Sequence, residues 1–460
     1  MRSRTAFVAC GPTLAAMGLA SATPARAEDP PASSWTEAQD EFWGHLQDVP
    51  FGPLTLDVRG QLRLRYEYDD GFTVKGYEPD GHDQVLLERV RLDLSLRAGE
   101  DLRVVLQFQD AHAFLTRFED GDFAGSSPLE DAFDVRQFYI DLPAGEGRLV
   151  GLRLGRQQIS YGDQRVFGPG SWGNTGRYAW DAAMVRLDTE WLDADLWVGR
   201  YLRYQSDVWP DRAVDDFFTF VGYAQIRNLP LRLDTFYVFK YAGGRGTAGE
   251  SGAGNLLSHT VGVQAEGQFL DLLDAGVTAV VQAGTHGRDA LRAFGANGKL
   301  GVTFPVPWAP RLGAQYTWGS GDADPHDGVH GTFDGVFGGR DIFFYGYTNL
   351  FFWANLHDAE VDLSFQPWHG LALHVEYHHF RLDQATDAWY TTGLKAYRRD
   401  PAGRSGTNLG DELDARVVCT LWNHLELMAG YGRYFPGTFV ERTGAAAPAN
   451  WYFAQAAYSW

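Results

Sequence analysis

Cysteine is scarce in this 460-residue chain: there are two, Cys10 and Cys419. Residues 1–27 read as an export signal. Arg2 and Arg4 give a positive start, Thr5 to Ala20 is small and mostly apolar, and Ala25-Arg26-Ala27 offers an A-x-A cleavage site. Cys10 then leaves with the signal, and Cys419 alone cannot form an intrachain disulfide. Positive charge is also in short supply. Beyond Ala27 there remain 36 Lys and Arg against 59 Asp and Glu, a net of −23, which argues against a nucleic-acid partner. After the signal no apolar run approaches the ~18 residues of a membrane-spanning helix. P-loop, H-E-x-x-H and nucleophile-elbow motifs are missing as well. No local spacing of Ser, His and Asp selects a catalytic set, so neither an enzyme activity nor a cofactor is expected.

Glycine (54 residues) and aromatics (15 Trp, 21 Tyr, 30 Phe) are abundant, a bias that fits strands and turns. Residues 28–53 are polar and proline-bounded. They are expected to be a periplasmic tail with one short helix around Glu37 to Leu46, a plug inside a pore being the weaker alternative.

From Leu54 the chain takes on a two-residue period. In Leu54–Asp70, Leu56, Val58, Leu62 and Leu64 alternate with Asp57, Arg59, Gln61, Arg63 and Arg65. Val90–Arg97 and Leu102–Gln109 repeat the pattern, with Arg89, Arg91, Arg97 and Arg103 on the wet side. Successive strand side chains point to opposite faces, so each segment has one greasy and one wet face. Eighteen such segments run to Trp460, of which Ala296–Phe304 is among the weakest. Their connections alternate between short turns ("AGED", "NLP", "PWHG", "WNH") and long loops such as 160–179, 319–356 and 383–409.

Even strand number with short turns on one side and long loops on the other is the pattern of an outer-membrane barrel. The closing "WYFAQAAYSW" resembles the last strand of bacterial outer-membrane barrels, which implies the barrel assembly machinery as a partner. A β-sandwich would also bury one apolar face. Against it stand strands long enough to cross lipid, aromatics at strand ends, and a wet face rich in Arg and Asp. Every backbone polar group in lipid must be paired, and closing the sheet removes both edges. The expected fold is therefore all-β: residues 54–460 form a transmembrane antiparallel up-and-down barrel of about 18 strands around an aqueous lumen, in the bacterial outer membrane, contacting lipid and lipopolysaccharide.

Leu154–Arg186 reads LGRQQISYGDQRVFGPGSWGNTGRYAWDAAMVR, and its elements Gly155-Arg156-Gln157, Tyr161-Gly162-Asp163-Gln164-Arg165, Trp172, Asn174, Gly176-Arg177 and Asp181 resemble the signature of the alginate export family of outer-membrane barrels. The stretches from Val135 ("VRQFYIDL") and Tyr316 resemble it too. The resemblance spans nearly all of Leu54–Trp460. It implies an arginine-lined channel for a polymeric uronate, with Arg136 and Arg156 carried over by motif. Guanidinium groups pair with carboxylates through two parallel hydrogen bonds. With Arg59, Arg63, Arg65, Arg89 and Arg91 they make the expected path for an anionic oligo- or polysaccharide. Asp163, Arg165, Trp172, Asn174, Arg177 and Asp181 mark a loop that is either a gate or a structural clasp.

The segments from His357 to Tyr434 carry the opposite charge: Asp358, Glu360, Asp362, Glu376, Glu412, Asp414 and Glu426, with Arg416 opposing them. A lumen with a basic and an acidic arc has a transverse field, which suits a general diffusion porin for small polar or charged solutes as the alternative function; an outer-membrane hydrolase and a secreted sugar-binding sandwich rank lower. His374, Glu376 and His378 share one strand face, but alternate positions lie ~7 Å apart, so a polar wall is preferred to a metal site. Asp322, Asp324 and Asp327 are weak Ca²⁺ candidates in a loop that lacks the later bidentate Glu of an EF-hand.

Overall fold

The computed structural model describes residues 42–72, 81–123, 126–145, 147–243, 248, 249 and 252–460. The export signal and the start of the helix expected over Glu37–Leu46 lie outside the described residues; residues 42–44 are helical.

Eighteen strands form one closed sheet. They are β1 (Leu54–Asp70), β2 (Asp83–Ala98), β3 (Leu102–Phe114), β4 (Asp131–Leu142), β5 (Val150–Gln157) and β6 (Trp180–Asp188). Then come β7 (Leu192–Arg203), β8 (Phe217–Ile226), β9 (Arg232–Ala242), β10 (Leu256–Phe269), β11 (Leu273–His286) and β12 (Asp289–Thr303). The last are β13 (Arg311–Gly319), β14 (Leu356–Trp368), β15 (Leu371–Arg381), β16 (Asn408–Leu421), β17 (Leu425–Pro436) and β18 (Ala449–Ser459). Each pairs antiparallel with the next, and β18 returns to β1 from Gln61↔Ser459 to Asp70↔Asn450. No strand edge is then left for lipid to desolvate.

β18 is shorter than β1, and the tail covers the difference. Val49–Phe51 pairs with Leu54–Leu56, and Val58 N donates to Leu46 O at 2.8 Å. Trp460 and Gly60 exchange backbone hydrogen bonds at 3.0 and 3.1 Å. Trp43 stacks on Trp460 with ring centroids 5.2 Å apart and donates to Tyr458 OH at 2.7 Å. This part of the tail runs along the seam.

Leu62, Leu64, Leu154, Val261, Val281, Leu300, Val361 and Val375 stand exposed on the outer wall. Exposed Trp191, Trp308, Trp368 and Trp422 ring the end with short turns, and Tyr66, Tyr316, Tyr377 and Tyr452 ring the other. Two aromatic girdles around an aliphatic band are what the two interfaces of a bilayer select.

The lumen differs from expectation. On β6–β9 the inward residues Trp180, Met184, Trp197, Phe217, Val221, Phe236 and Val238 are apolar and buried. An aqueous lumen would penalise them, so the hydrophobic effect, which has no purchase on the lipid face, acts here to draw loops inward. Phe167 of loop 158–179 packs edge-to-face on Phe236 at 5.5 Å. Phe337 of loop 320–355, which carries the single-turn helix α1 (Asp341–Phe344), packs on Trp180 at 4.8 Å. Across the barrel Phe351 stacks on Phe380 at 3.7 Å. Helix α2 (Thr438–Thr443) buries Phe439 and Val440 in the same core.

β12 also begins earlier than Ala296. Only two residues separate it from β11, its inward Ala293 and Gly295 are small, and Phe333 lies 2.7 Å from where a Cβ on Gly295 would sit.

Candidate functional site

Loop 158–179 crosses the lumen. Near its start Asp163 is paired with Arg165 at 3.7 Å and with Lys299 of β12 at 3.5 Å. Burial opposes the charge on Asp163, but Arg165, Lys299 and Arg340 outweigh it and hold its carboxyl below the usual carboxylate value. The Arg165 guanidinium is buried; it lies 4.0 Å over the Phe344 ring and donates to Tyr345 OH and to Gln315 of β13.

The far end of the loop reaches β1, β2 and β18. Trp172 meets Phe453 edge-to-face at 5.1 Å and lies under the Arg65 guanidinium at 4.1 Å. Three arginines of the expected path converge on the loop's backbone oxygens. Arg63 donates to Ser171 O at 3.1 Å and to Asn174 Oδ1 at 3.1 Å. Arg65 donates to Trp172 O at 2.7 Å, and Arg89 to Ser171 O at 3.3 Å. Asn174, fully buried, offers its amide to the carbonyls of Glu88, His112 and Leu129 at 2.9–3.0 Å. Two amide hydrogens serve three carbonyls, so one bond is shared.

The acidic arc is covered in the complementary way by loop 320–355. Tyr347 N donates to Asp414 at 3.1 Å and Tyr347 OH to Glu376 at 3.2 Å. Thr348 N and Oγ1 donate to the two oxygens of Glu412 at 2.8 and 2.5 Å. One loop thus presents acceptors to the arginines and the other presents donors to the carboxylates. The two loops are joined by an Arg177–Asp341 ion pair and by Arg177 donating to Gly338 O at 3.0 Å. Burial raises the Asp341 carboxyl above its usual value, although Arg177 pulls it down.

Other sequence candidates fall elsewhere. Arg91 faces inward and donates to Gln109 at 2.8 Å, and Arg59 donates to Gln47 at 3.2 Å near the short-turn end. Arg136 sits at a bulge in β4, bonded to Tyr204 OH and lying 4.8 Å over its ring. Arg156 does not share the lumen phase: its register partner is the lipid-facing Phe138, and it lies on the same strand face as exposed Leu152 and Leu154. It is held at the rim by Asp181 at 3.0 Å and by Asp211 O at 2.6 Å. Asp181, expected to pin the motif loop, is spent there instead. Asp322, Asp324 and Asp327 are not drawn around one point: Asp322 faces His330, while Asp324 and Asp327 each accept a backbone N–H two residues on.

The alginate export family matches residues 54–453, over which the strands, the crossing loop and the arginines just described are spread. The chain belongs to that family. No curated protein matches it. Among solved structures, OccAB2 of Acinetobacter baumannii superposes with a TM-score of 0.59 at 12% identity, covering 88% of this chain and 98% of its own. OccK11 (OpdR) of Pseudomonas aeruginosa gives 0.56 at 12% identity, covering 88% and 95%. OccK2 (OpdF) of P. aeruginosa in complex with glucuronate gives 0.56 at 10% identity, covering 88% and 97%. At such identities the likeness is one of fold. With its family and its barrel, this chain is an outer-membrane channel protein.

The residues that the sequence left unnoticed are the covering ones, Tyr347, Thr348 and Asp341. A signal existed: the aromatic-rich run Phe343–Trp353 is too apolar for a solvated external loop.

Proposed function

We propose that this member of the alginate export family passes anionic saccharides of the uronate class, and that loop 158–179 gates the arginine face of the lumen. The observation that carries this is a set of buried guanidinium N–H groups with no protein acceptor: Arg63 Nε, Arg89 Nε and Arg91 Nη2. Buried donors are otherwise almost always satisfied, and an oxyanion supplies what these lack. The loop carbonyls at Ser171, Trp172 and Gly173 stand where solute oxygens would bind. A solute competes for the same guanidinium groups as the loop swings away. Contacts with several weak donors in series allow release as well as entry. That a similar fold holds glucuronate is in keeping with a uronate-sized anion.

Planar-bilayer conductance tests it. Oligouronates should block the wild-type current, while neutral oligosaccharides of the same length should not. Arg89→Gln and Arg91→Gln should each weaken the block by about 10- to 100-fold, the worth of one hydrogen bond to a charged group. Arg156→Ala should leave it unchanged, since that side chain is tied up at the rim. Equal block by neutral and acidic oligomers would overturn the proposal.

A general porin for small polar solutes is the second reading. What favours it is the short-turn half of the lumen, where charges cancel between neighbouring strands: Arg97–Asp57 at 3.0 Å, Arg153–Asp141 at 2.8 Å and Arg311–Asp362 at 2.6 Å. It predicts current indifferent to oligouronates.

A further inference from the structure

The acidic arc holds an electrostatic problem that the covering loop does not solve. Strand register places His378 of β15 between Glu360 of β14 and Glu412 of β16, and Glu376 between Asp362 and Asp414. Asp358, His378, Glu412 and Asp414 are wholly buried, and Glu360 and Glu376 nearly so. Arg311 pairs with Asp362 at 2.6 Å, and Arg165 and Arg340 stand farther off; beside Glu376, Glu412 and Asp414 the nearest basic groups are His378 and Arg416. The Arg416 guanidinium is turned to aromatic rings, 4.9 Å over Phe343, and its Nε and Nη1 find no acceptor. Thr348 satisfies both oxygens of Glu412. His378 Nε2 and Asp414 Oδ1 are left buried without a hydrogen-bond partner.

We propose that His378 Nε2, Glu376 and Asp414 bind a divalent transition-metal ion. The ring is oriented for it. Nδ1 lies 3.1 Å from Asp358 Oδ1, which holds a proton on that nitrogen and leaves Nε2 as the one that an ion would take, displacing any proton there. Nε2 faces Asp414 Oδ2 at 3.9 Å, too far for a direct hydrogen bond and wide enough for an ion between them. The three ligand atoms lie within 4.8 Å of one another. Bonds of about 2.0–2.1 Å around a tetrahedral ion need ligands roughly 3.3 Å apart, so each side chain moves inward by less than ~1 Å. One imidazole with two carboxylates suits Zn²⁺ or Mn²⁺; it lacks the sulfur that favours Cu(I) and the all-oxygen shell that favours Ca²⁺. Tyr347 donates to both carboxylates, so the ion would knit loop 320–355 to β15 and β16. Reading along one strand hides this site, because Asp414 is supplied by a neighbouring strand.

The test uses the full barrel purified from outer membranes in detergent, stripped with EDTA, incubated with ZnCl₂ and desalted. Elemental analysis should find one zinc per barrel in the wild type and in the His374→Gln control. His378→Gln should lose it, while heat-modifiable gel mobility shows the variant still folded. Asp358→Asn, which only releases the ring, should weaken zinc binding by about 10- to 100-fold. Zinc-edge X-ray absorption on the wild type needs no variant and should show a single imidazole in an oxygen shell. A wild type that retains no zinc, zinc unaltered in folded His378→Gln, or a zinc shell with no imidazole or several would overturn the proposal. In that case the wall is neutralised by protons instead.

Discussion

At the residue scale, one carboxylate is held away from its ordinary state where a loop meets the barrel rim. Asp211, in loop 204–216, is buried beside Asp131 and Asp134, and burial together with those two neighbours pushes its pKa up to about 8. Its backbone N–H donates to Asp134 at 3.1 Å, so the loop is fixed next to the charges that disfavour its own ionisation. A group whose folded pKa lies above the unfolded value of ~3.9 binds its proton more tightly when folded. The contribution is fully present below pH ~4 and is lost as pH rises towards 8. Limited proteolysis within 204–216 should accordingly be faster at pH 9 than at pH 6, and Asp211→Asn should abolish that difference. Equal nicking of the wild type at both values would show that this carboxyl does not hold the loop. The cluster was not legible in the sequence, because Asp131 and Asp211 are 80 positions apart and meet only through the folding of the loop. The motif residues were legible as a set, but their partners were not. Arg156 illustrates why: the alternation of Leu152 and Leu154 already put it in the lipid-facing phase, and the resemblance overrode that local signal.

At the element scale, the strands could be read because lipid on one side and water on the other impose a strict period of two. Where loops replace the water, the period fades, as in the inward Trp197 and Phe236 and in the inward Ala293 and Gly295 that hid the start of β12. The seam shows how much closure depends on one small residue. A Cβ on Gly60 would lie 2.1 Å from the Trp460 ring, whose far side is covered by Trp43. Gly60→Val should therefore displace Trp460, part β1 from the end of β18 and expose backbone groups that each cost several kcal/mol in lipid. The expected result is loss of the heat-modifiable folded band and lower recovery from outer membranes. Trp43→Ala, which removes the cover and leaves the strand pairing, should lower thermal stability by a few degrees only. A Gly60→Val barrel as stable as the wild type would mean that the seam tolerates an open end.

On the scale of the whole molecule, the lumen is a dipole whose two poles are both masked, the arginines by carbonyl oxygens and the carboxylates by N–H and O–H groups. Selectivity then depends on which mask comes off. Replacing Ser171–Thr175 by Gly-Ser-Gly removes the loop acceptors of Arg63, Arg65 and Arg89, leaving Glu67 on Arg65 and Gln61 on Arg89, and also the Asn174 amide that pins the loop to β2 and β3, while the acidic pole stays covered by Tyr347 and Thr348. Single-channel conductance should rise, and the current should become anion-selective. The preference should be strong at 0.1 M salt, where charges act over about 10 Å, and should fade at 1 M, where they act over about 3 Å. Adding Arg63→Gln and Arg89→Gln to the shortened loop should keep the higher conductance and remove the preference, since the opening is steric and the selectivity electrostatic. A shortened loop that conducts no better than the wild type would place the constriction elsewhere. One that conducts better without favouring anions would mean that the acidic pole governs the open lumen, as the general-porin reading requires.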